Sequence, residues 1–304
     1  MEDLIRVGDF TAPQKAAIDL EFACHTPEEA GRDAALRASV RGFLTRSNMK
    51  LSTEVLETLP ALRIIATSGV GFDGIPVAWA RERGIVVTNT PGVLDAAVCE
   101  LGVGLLLALL REIPRADRHV RTGAWRGGIY PLTTGLAGKR VGIVGLGRIG
   151  KGIAERLLPF GPSLAYAGRP QAGIPFRHFP DARAMASEVD VLILTCKGGP
   201  DTHHLVNAEV LAALGPGYLV NLARGSVVDE AALCDALARG TLRGAALDVF
   251  EEEPLGASPL LDLPNVLLSP HAGSATHETR ALMLRMALDN LHAVLGGGEA
   301  LTPV

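Results

Sequence analysis

Arg140-Val141-Gly142-Ile143-Val144-Gly145-Leu146-Gly147-Arg148-Ile149-Gly150 is the stretch that decides the fold. Residues 141–144 form a short apolar run of strand type, and from Ile149 to Phe160 apolar residues recur at three- and four-residue spacing, as on a helix. Between them, Gly145 permits a tight turn, Gly147 lets the backbone approach an anion, and Gly150 lets the helix sit close to the strand. The helix start presents free N–H groups and the positive end of the dipole. In a chain with 35 glycines a lone G-x-G-x-x-G carries little weight. A strand before it and a helix after it give it the context of a dinucleotide pyrophosphate site, which Gly145, Leu146, Gly147, Arg148, Ile149 and Gly150 would form.

The alternation continues outward. Apolar runs at 164–166, 189–196, 218–222, 245–249 and 266–268 are separated by helical spacing at 182–187, 208–214 and 230–239. Strands apolar throughout and separated by helices indicate a parallel sheet covered on both faces. Upstream, strands are expected at 39–44, 63–67 and 85–87 and helices at 52–59 and 76–82, a second and smaller α/β arrangement. The expected fold class is α/β: two Rossmann-like/flavodoxin-like domains with doubly wound parallel sheets, and the active site in the cleft between them. Residues 1–94 with 276–304 would form the flavodoxin-like substrate domain, and 95–275 the dinucleotide-binding domain. A helix over 276–295 closes the chain, stopped by Gly296-Gly297-Gly298. Residues 95–111 read as a helix almost without charge, to be buried in a domain seam or against a second subunit. A homodimer through that region is expected.

Bulk properties agree and exclude other classes. At 304 residues, 48% hydrophobic and 20% charged, the chain is long enough for two cores and is not of disordered composition. A net charge of −4 gives no polyanion-binding surface, so no nucleic-acid partner is expected. The longest apolar stretch, 101–110, is too short for a membrane span, and no signal segment is evident, so no membrane partner is expected. Cys24, Cys99, Cys196 and Cys234 lie far apart without ligand spacing; no metal is expected, and isolated thiols suit a cytoplasmic protein.

Where the second strand ends, an Asp or Glu for a ribose 2′-hydroxyl is missing: Tyr166-Ala167-Gly168-Arg169-Pro170 holds no acid. Arg169, with Arg148 as a possible helper, can pair with a 2′-phosphate, so NADP(H) is expected before NAD(H).

Beyond the phosphate loop, Leu219-Val220-Asn221-Leu222-Ala223-Arg224-Gly225, then 244–254 (GAALDVFEEEP), then Ser269-Pro270-His271-Ala272-Gly273-Ser274 resemble the D-2-hydroxyacid dehydrogenase family. The resemblance runs from Ser68-Gly69-Val70-Gly71-Phe72-Asp73 onward. Pro131-Leu132-Thr133-Thr134 and Thr202-His203-His204-Leu205 look most like the family's glyoxylate/hydroxypyruvate reductases, including plant-type enzymes that also reduce hydroxyphenylpyruvate. The resemblance implies a catalytic set of Arg224 on the substrate's carboxylate and carbonyl oxygen, His271 as acid/base and Glu253 as its carboxylate partner. Composition cannot choose among Glu251, Glu252 and Glu253. Reduction of a 2-keto acid asks for such a set: a hydride, a proton for the developing alkoxide, and a cation facing the carboxylate.

The resemblance further implies that Asp248 meets the nicotinamide carboxamide, although it also reads as an acid capping a strand end. Cys196 and Pro200 would cover the adenosine, and Thr202, Leu222, Ala223, Val98 and Gly273 would lie along the cofactor. Val70 and Gly71 would bind the substrate carboxylate through their amides, together with Arg224 and His271. Phe43 and Leu44 read equally as pocket lining or core. His203 and His204 read as non-catalytic. The expected activity is hydride transfer from NADPH to glyoxylate or hydroxypyruvate, giving the D-2-hydroxy acid. Alternatives are a reductase of bulkier aryl-pyruvates, an NAD-linked D-2-hydroxyacid dehydrogenase, or a dinucleotide-sensing corepressor-like scaffold. The last would carry long extensions, which this chain is expected to lack. Tyr130, Tyr166 and Tyr218 lack a Y-x-x-x-K partner, which argues against short-chain dehydrogenase chemistry.

Overall fold

A computed structural model describes residues 1–304. The chain divides into two compact units, Met1–Leu94 with Ala275–Val304, and Asp95–Ser274.

The first unit runs β1 (Glu2–Arg6), α1 (Ala12–Asp19), β2 (Phe22–His25), α2 (Pro27–Arg32), α3 (Ala34–Ser39), β3 (Gly42–Arg46), α4 (Thr53–Glu57), β4 (Ile64–Ser68), α5 (Val77–Glu82) and β5 (Val86–Thr88). The second runs α6 (Asp95–Leu110), α7 (Ile113–Arg121), β6 (Arg140–Val144), α8 (Arg148–Leu157), β7 (Ser163–Ala167), β8 (Arg177–Phe179), α9 (Ala182–Ala186), β9 (Val191–Leu194), α10 (Ala208–Leu214), β10 (Tyr218–Asn221), α11 (Glu230–Ala238), β11 (Gly244–Leu247) and β12 (Val266–Leu268). The last helix, α12 (His277–Leu295), belongs to the first unit.

Both sheets are parallel throughout. The first has the order β2-β1-β3-β4-β5, and the second β12-β11-β10-β9-β6-β7-β8. Each is covered on both faces. In the first unit Leu4, Leu44 and Ile64 pack with Leu284, Leu288 and Leu291 of α12, while Ile5, Phe43 and Ile65 pack on the other face with Leu56 and Ala80. In the second, α9, α10 and α11 close one face, and α6 and α8 the other. Phe43 and Leu44, at most 1% exposed, are core on opposite faces of one strand.

Two sequence expectations change. Residue 39 ends a helix instead of starting a strand, because the Asp33 carboxylate accepts from the Ala35 and Leu36 amides and nucleates α3. Strands β1, β2 and β8 were not legible: each is short, and charged or polar residues at their ends hide the apolar signal. Within the single chain, helix α6 is buried on one side. Cys99, Gly102, Leu105, Leu106 and Leu109 pack inward, toward α8 and the sheet, while Glu100 and Gly104 are exposed. The crossing with α8 is close because Gly102 admits Leu222 and Ile153, and Gly152 admits the Cys99 thiol. No helix is long and apolar enough to cross a membrane.

Candidate active site

The phosphate loop of the second unit is formed by β6 running into α8. Gly145 has φ +92°, its N–H donates to Ala167 O at 2.9 Å, and a Cβ there would stand 2.6 Å from Cys196 Cα. Only glycine fits that turn. At Gly147, which caps α8, a Cβ would meet nothing within 4 Å. The loop is therefore pressed against β7 and β9 at one glycine and open at the next, beside the amides that begin α8. No acidic residue occupies that first turn. This cradle, closed by backbone behind and open at the helix end, fits a pyrophosphate. Leu146 is buried and its carbonyl accepts from Gln171 Nε2 at 2.7 Å, while Thr195 Oγ1 donates to Gly145 O at 2.7 Å.

Around the loop the expected cofactor residues separate into two groups. Arg169 is exposed, one residue past Gly168, where a Cβ would lie 3.9 Å from Gly145 N at the end of β7. Arg148 is held by Asp95, Nε to Oδ2 at 2.8 Å, so its charge is already partnered. Burial pushes the Cys196 thiol up to about 11, which makes it inert at neutral pH. Pro200 and Thr202 form a short turn in which Thr202 Oγ1 donates to Lys197 O at 2.7 Å. Leu222 and Ala223 are buried at the end of β10. The structure also brings Val98, Asp248 and Gly273 together: a Cβ on Gly273 would lie 3.1 Å from Asp248 Oδ2 and 3.3 Å from Val98 Cγ2.

Arg224, Glu253 and His271 converge from three loops at the carboxyl ends of β10, β11 and β12, where open parallel sheets place their chemistry. Asn221 shapes the first loop, accepting from Ala223 N and donating to Arg224 O, both at 3.0 Å. Gly225 then lies directly on the Phe250–Glu251 peptide: a Cβ would be 1.8 Å from Phe250 C. That contact locks the Arg224 loop to the turn carrying Glu253. Within the turn, Phe250 N donates to Glu253 Oε1 at 3.1 Å, and the Glu253–Pro254 peptide is cis.

His271 has φ +51°, rare for a residue with a Cβ, and its N–H donates to Asp248 O at 2.8 Å. The Asp248 carboxylate, 3% exposed, accepts from Ser269 Oγ at 2.6 Å, Ala272 N at 2.7 Å and Gly273 N at 2.9 Å. Burial raises its pKa, and these three donors oppose that rise. Asp248 thus organises the 269–273 turn, and its carboxylate is already well used there.

His271 Nδ1 lies 2.6 Å from Glu253 Oε2, with both side chains partly buried. Burial acts to raise the Glu253 carboxyl, but the His271 hydrogen bond and charge, Phe250 N–H and Arg224 outweigh it and hold the group below its ordinary value. An ionised carboxylate only accepts, so the hydrogen bond to Glu253 takes a proton on His271 Nδ1 and leaves Nε2 outside that bond. Of the three glutamates, Glu251 instead lies 2.6 Å from His204 Nε2, His204 stacks on His203, and Glu252 is exposed. Ser269 and Asn221 were missed by the sequence reading; their hydroxyl and amide act only through turns whose closure no spacing reveals. No cluster of three or more metal-binding side chains exists.

Residues 103–273 match the family model described as D-isomer specific 2-hydroxyacid dehydrogenase, NAD binding domain. The chain is 44% identical over 281 residues to a hydroxyphenylpyruvate reductase of Plectranthus scutellarioides, covering 91% of this chain and 90% of that one. It is 41% identical over 281 residues to a glyoxylate/hydroxypyruvate reductase A of Arabidopsis thaliana, covering 92% and 90%. Among solved structures, an NADPH-dependent glyoxylate/hydroxypyruvate reductase of Sinorhizobium meliloti, in complex with NADP and malonate, superposes with a TM-score of 0.92 at 45% identity, covering 100% of this chain and 96% of that one. A matched region that contains the cradle, Arg224, Glu253 and His271, together with full-length relatives of this identity, places the chain in the D-isomer specific 2-hydroxyacid dehydrogenase family.

Proposed function

We propose that the chain is an NADPH-dependent reductase of small 2-keto acids, glyoxylate and hydroxypyruvate first, yielding the D-2-hydroxy acid. The observation that carries this reading is the 2.6 Å His271–Glu253 pair with Arg224 held beside it. The dinucleotide supplies the hydride when bound. Gly145 to Gly150 would hold its pyrophosphate, and Cys196, Pro200, Thr202, Leu222, Ala223, Val98 and Gly273 its remaining length.

Arg224 faces the carboxylate and carbonyl oxygen of the substrate, drawing electrons from C2 and stabilising the negative charge that develops on oxygen. His271 donates the Nε2 proton to that oxygen, leaving a neutral ring still hydrogen-bonded to Glu253 through Nδ1–H. Glu253 stays ionised, fixes the tautomer and stabilises the charged ring before transfer. Asp248 sets the backbone of the His271 turn; a carboxamide contact is its proposed second role. Val70 and Gly71, in the loop after β4 of the first unit, are the proposed amide donors to the substrate carboxylate.

NADPH is preferred in this reading because Arg169 stands where an acid would otherwise meet the ribose, and the Sinorhizobium meliloti relative was solved with NADP. Arg148 contributes little to that preference, being paired with Asp95. Likeness to the hydroxyphenylpyruvate reductase supports a second reading, in which aryl-pyruvates are also reduced. Homodimer formation through α6 is part of the proposal: Leu101, Val103 and Leu107 are only partly buried, and Ile113, Val120 and Trp125 beyond them are exposed. Steady-state kinetics on glyoxylate, hydroxypyruvate, phenylpyruvate and hydroxyphenylpyruvate, each with NADPH and NADH, tests the reading. Highest kcat/KM for the small acids with NADPH supports it, and preference for NADH or for the aryl acids overturns the respective part.

A further inference from the structure

The loop Gly69-Val70-Gly71 in the first unit is held by its carbonyls. Thr90 N donates to Gly69 O at 2.9 Å, and Asn89 Nδ2 donates to Val70 O at 2.8 Å. Both peptide units are trans, since the only cis peptide is Glu253–Pro254. In a planar trans peptide the C=O and the following N–H point in opposite directions. Fixing Gly69 O therefore turns Val70 N–H away from Thr90, and fixing Val70 O turns Gly71 N–H away from Asn89. Neither amide has an acceptor within the chain. Donation to a peptide carbonyl also polarises that peptide and strengthens its N–H as a donor.

The two donors are themselves anchored. Thr302 Oγ1 donates to Asn89 O at 2.6 Å, and Asn89 N donates to Thr302 O at 3.3 Å. Thr302 is fixed in turn by Asn290 of α12, which is fully buried. Its Oδ1 accepts from Leu301 N at 2.9 Å and Thr302 N at 3.0 Å, while its Nδ2 donates to Thr302 Oγ1 at 2.9 Å and to Met286 O at 2.8 Å. Asn89 and Thr90 are 8% and 0% exposed. A chain of hydrogen bonds anchored at the fully buried Asn290 thus runs from α12 through the partly buried Thr302 to two amides that nothing in the protein uses.

We propose that Asn89 and Thr302 are positioning residues for carboxylate recognition: they hold the Val70 and Gly71 N–H groups aimed at an anionic substrate group, with Asn290 as the anchor. This rests on the reading that those amides bind the substrate carboxylate. A carboxylate is held alike before and during hydride transfer, so loosening its donors weakens ground state and transition state together and raises KM more than it lowers kcat.

The experiment compares the full chain with Asn89→Ala, Thr302→Val and Thr302→Ser, measuring KM and kcat for glyoxylate, the Ki of oxamate as an unreactive carboxylate, NADPH affinity and Tm. In Asn89→Ala, KM and the oxamate Ki should both rise by about tenfold, with kcat within about threefold and NADPH affinity unchanged. Thr302→Val, nearly isosteric but without the hydroxyl, should raise both constants several-fold. Thr302→Ser, which keeps it, should restore them to near wild type. A fall in Tm with unchanged KM and Ki in both Asn89→Ala and Thr302→Val would show a purely structural role and overturn the proposal while leaving the reductase reading intact. A wild-type chain that turns over glyoxylate but is not inhibited by oxamate would remove the carboxylate role of the loop. A wild-type chain that reduces no 2-keto acid would bring down both.

Discussion

Replacing Glu253 by Gln removes one charge and almost no volume, and its effect can be worked out from the geometry. Gln keeps an oxygen to accept the 3.1 Å Phe250 N–H bond, so the turn should hold. What is lost is the charge-assisted 2.6 Å bond to His271 Nδ1. Hydrogen bonds to charged groups contribute about 1.5–3 kcal/mol. Partial burial of both partners keeps this one from being screened away as a surface pair would be. Since about 1.4 kcal/mol is tenfold, kcat/KM for keto-acid reduction should fall by about 10- to 150-fold. NADPH affinity should be unchanged, because no cofactor contact is assigned to Glu253.

The pH dependence of stability gives an independent readout. Glu253 is held below its ordinary value of 4.5, so its carboxyl ionises more readily folded than unfolded. Its stabilisation is complete above the unfolded value and is lost as pH falls through the lower folded value. The stability gap between wild type and Glu253→Gln, measured by urea denaturation, should therefore be constant near neutrality and close in acid below 4.5. Kinetics within about threefold of wild type at all pH values, or an equal loss of NADPH affinity, would refute the assignment of Glu253 as the partner that prepares His271.

Three further perturbations follow from the same geometry. Gly225→Ala would drive a Cβ to 1.8 Å from Phe250 C, so the Arg224 loop must separate from the Glu253 turn; a fall in Tm equivalent to about 3 kcal/mol or more is expected by calorimetry, with loss of turnover, and a wild-type Tm would contradict it. Asp248→Asn turns an amide donor toward at least one of Ser269 Oγ, Ala272 N and Gly273 N, costing about 1–3 kcal/mol in denaturant titration and lowering kcat by loosening the His271 turn; unchanged stability would show that the turn closes without this carboxylate. Arg169→Ala should weaken NADPH binding by about tenfold or more and NADH binding little, by fluorescence titration; equal losses would undermine the 2′-phosphate role.

Much of this was written locally. The β6–loop–α8 passage could be read because strand, glycines and helix are contiguous, so a single window holds all the physics. The parallel order of the larger sheet likewise follows from apolar runs separated by helices. The edge strands were harder. Arg177-His178-Phe179 carries one apolar residue in three, and only its pairing with β7 makes it a strand. Helix α6 is almost without charge, and within the single chain its packing uses one side, leaving Glu100 and Gly104 exposed.

The site shows the same division. Arg224 and His271 stand out after apolar strands, but the left-handed backbone of His271 depends on Asp248 gathering three donors from the next loop, a long-range fact. Composition could not choose among three successive glutamates; the turn does, sending Glu251 to His204 and Glu253 to His271. Arg148 read as a helper to Arg169 because Asp95, its partner, is 53 residues away.

The central claim is that His271, charged against Glu253 and set beside Arg224, delivers the proton that completes hydride transfer to a 2-keto acid. Single-turnover reduction of hydroxypyruvate by preformed NADPH complexes of wild type and His271→Ala, followed by loss of NADPH absorbance, tests it most directly. The account predicts a rapid transient in wild type and a rate lower by at least about a hundredfold in His271→Ala, with NADPH binding retained. A transient of wild-type rate in the variant would contradict it.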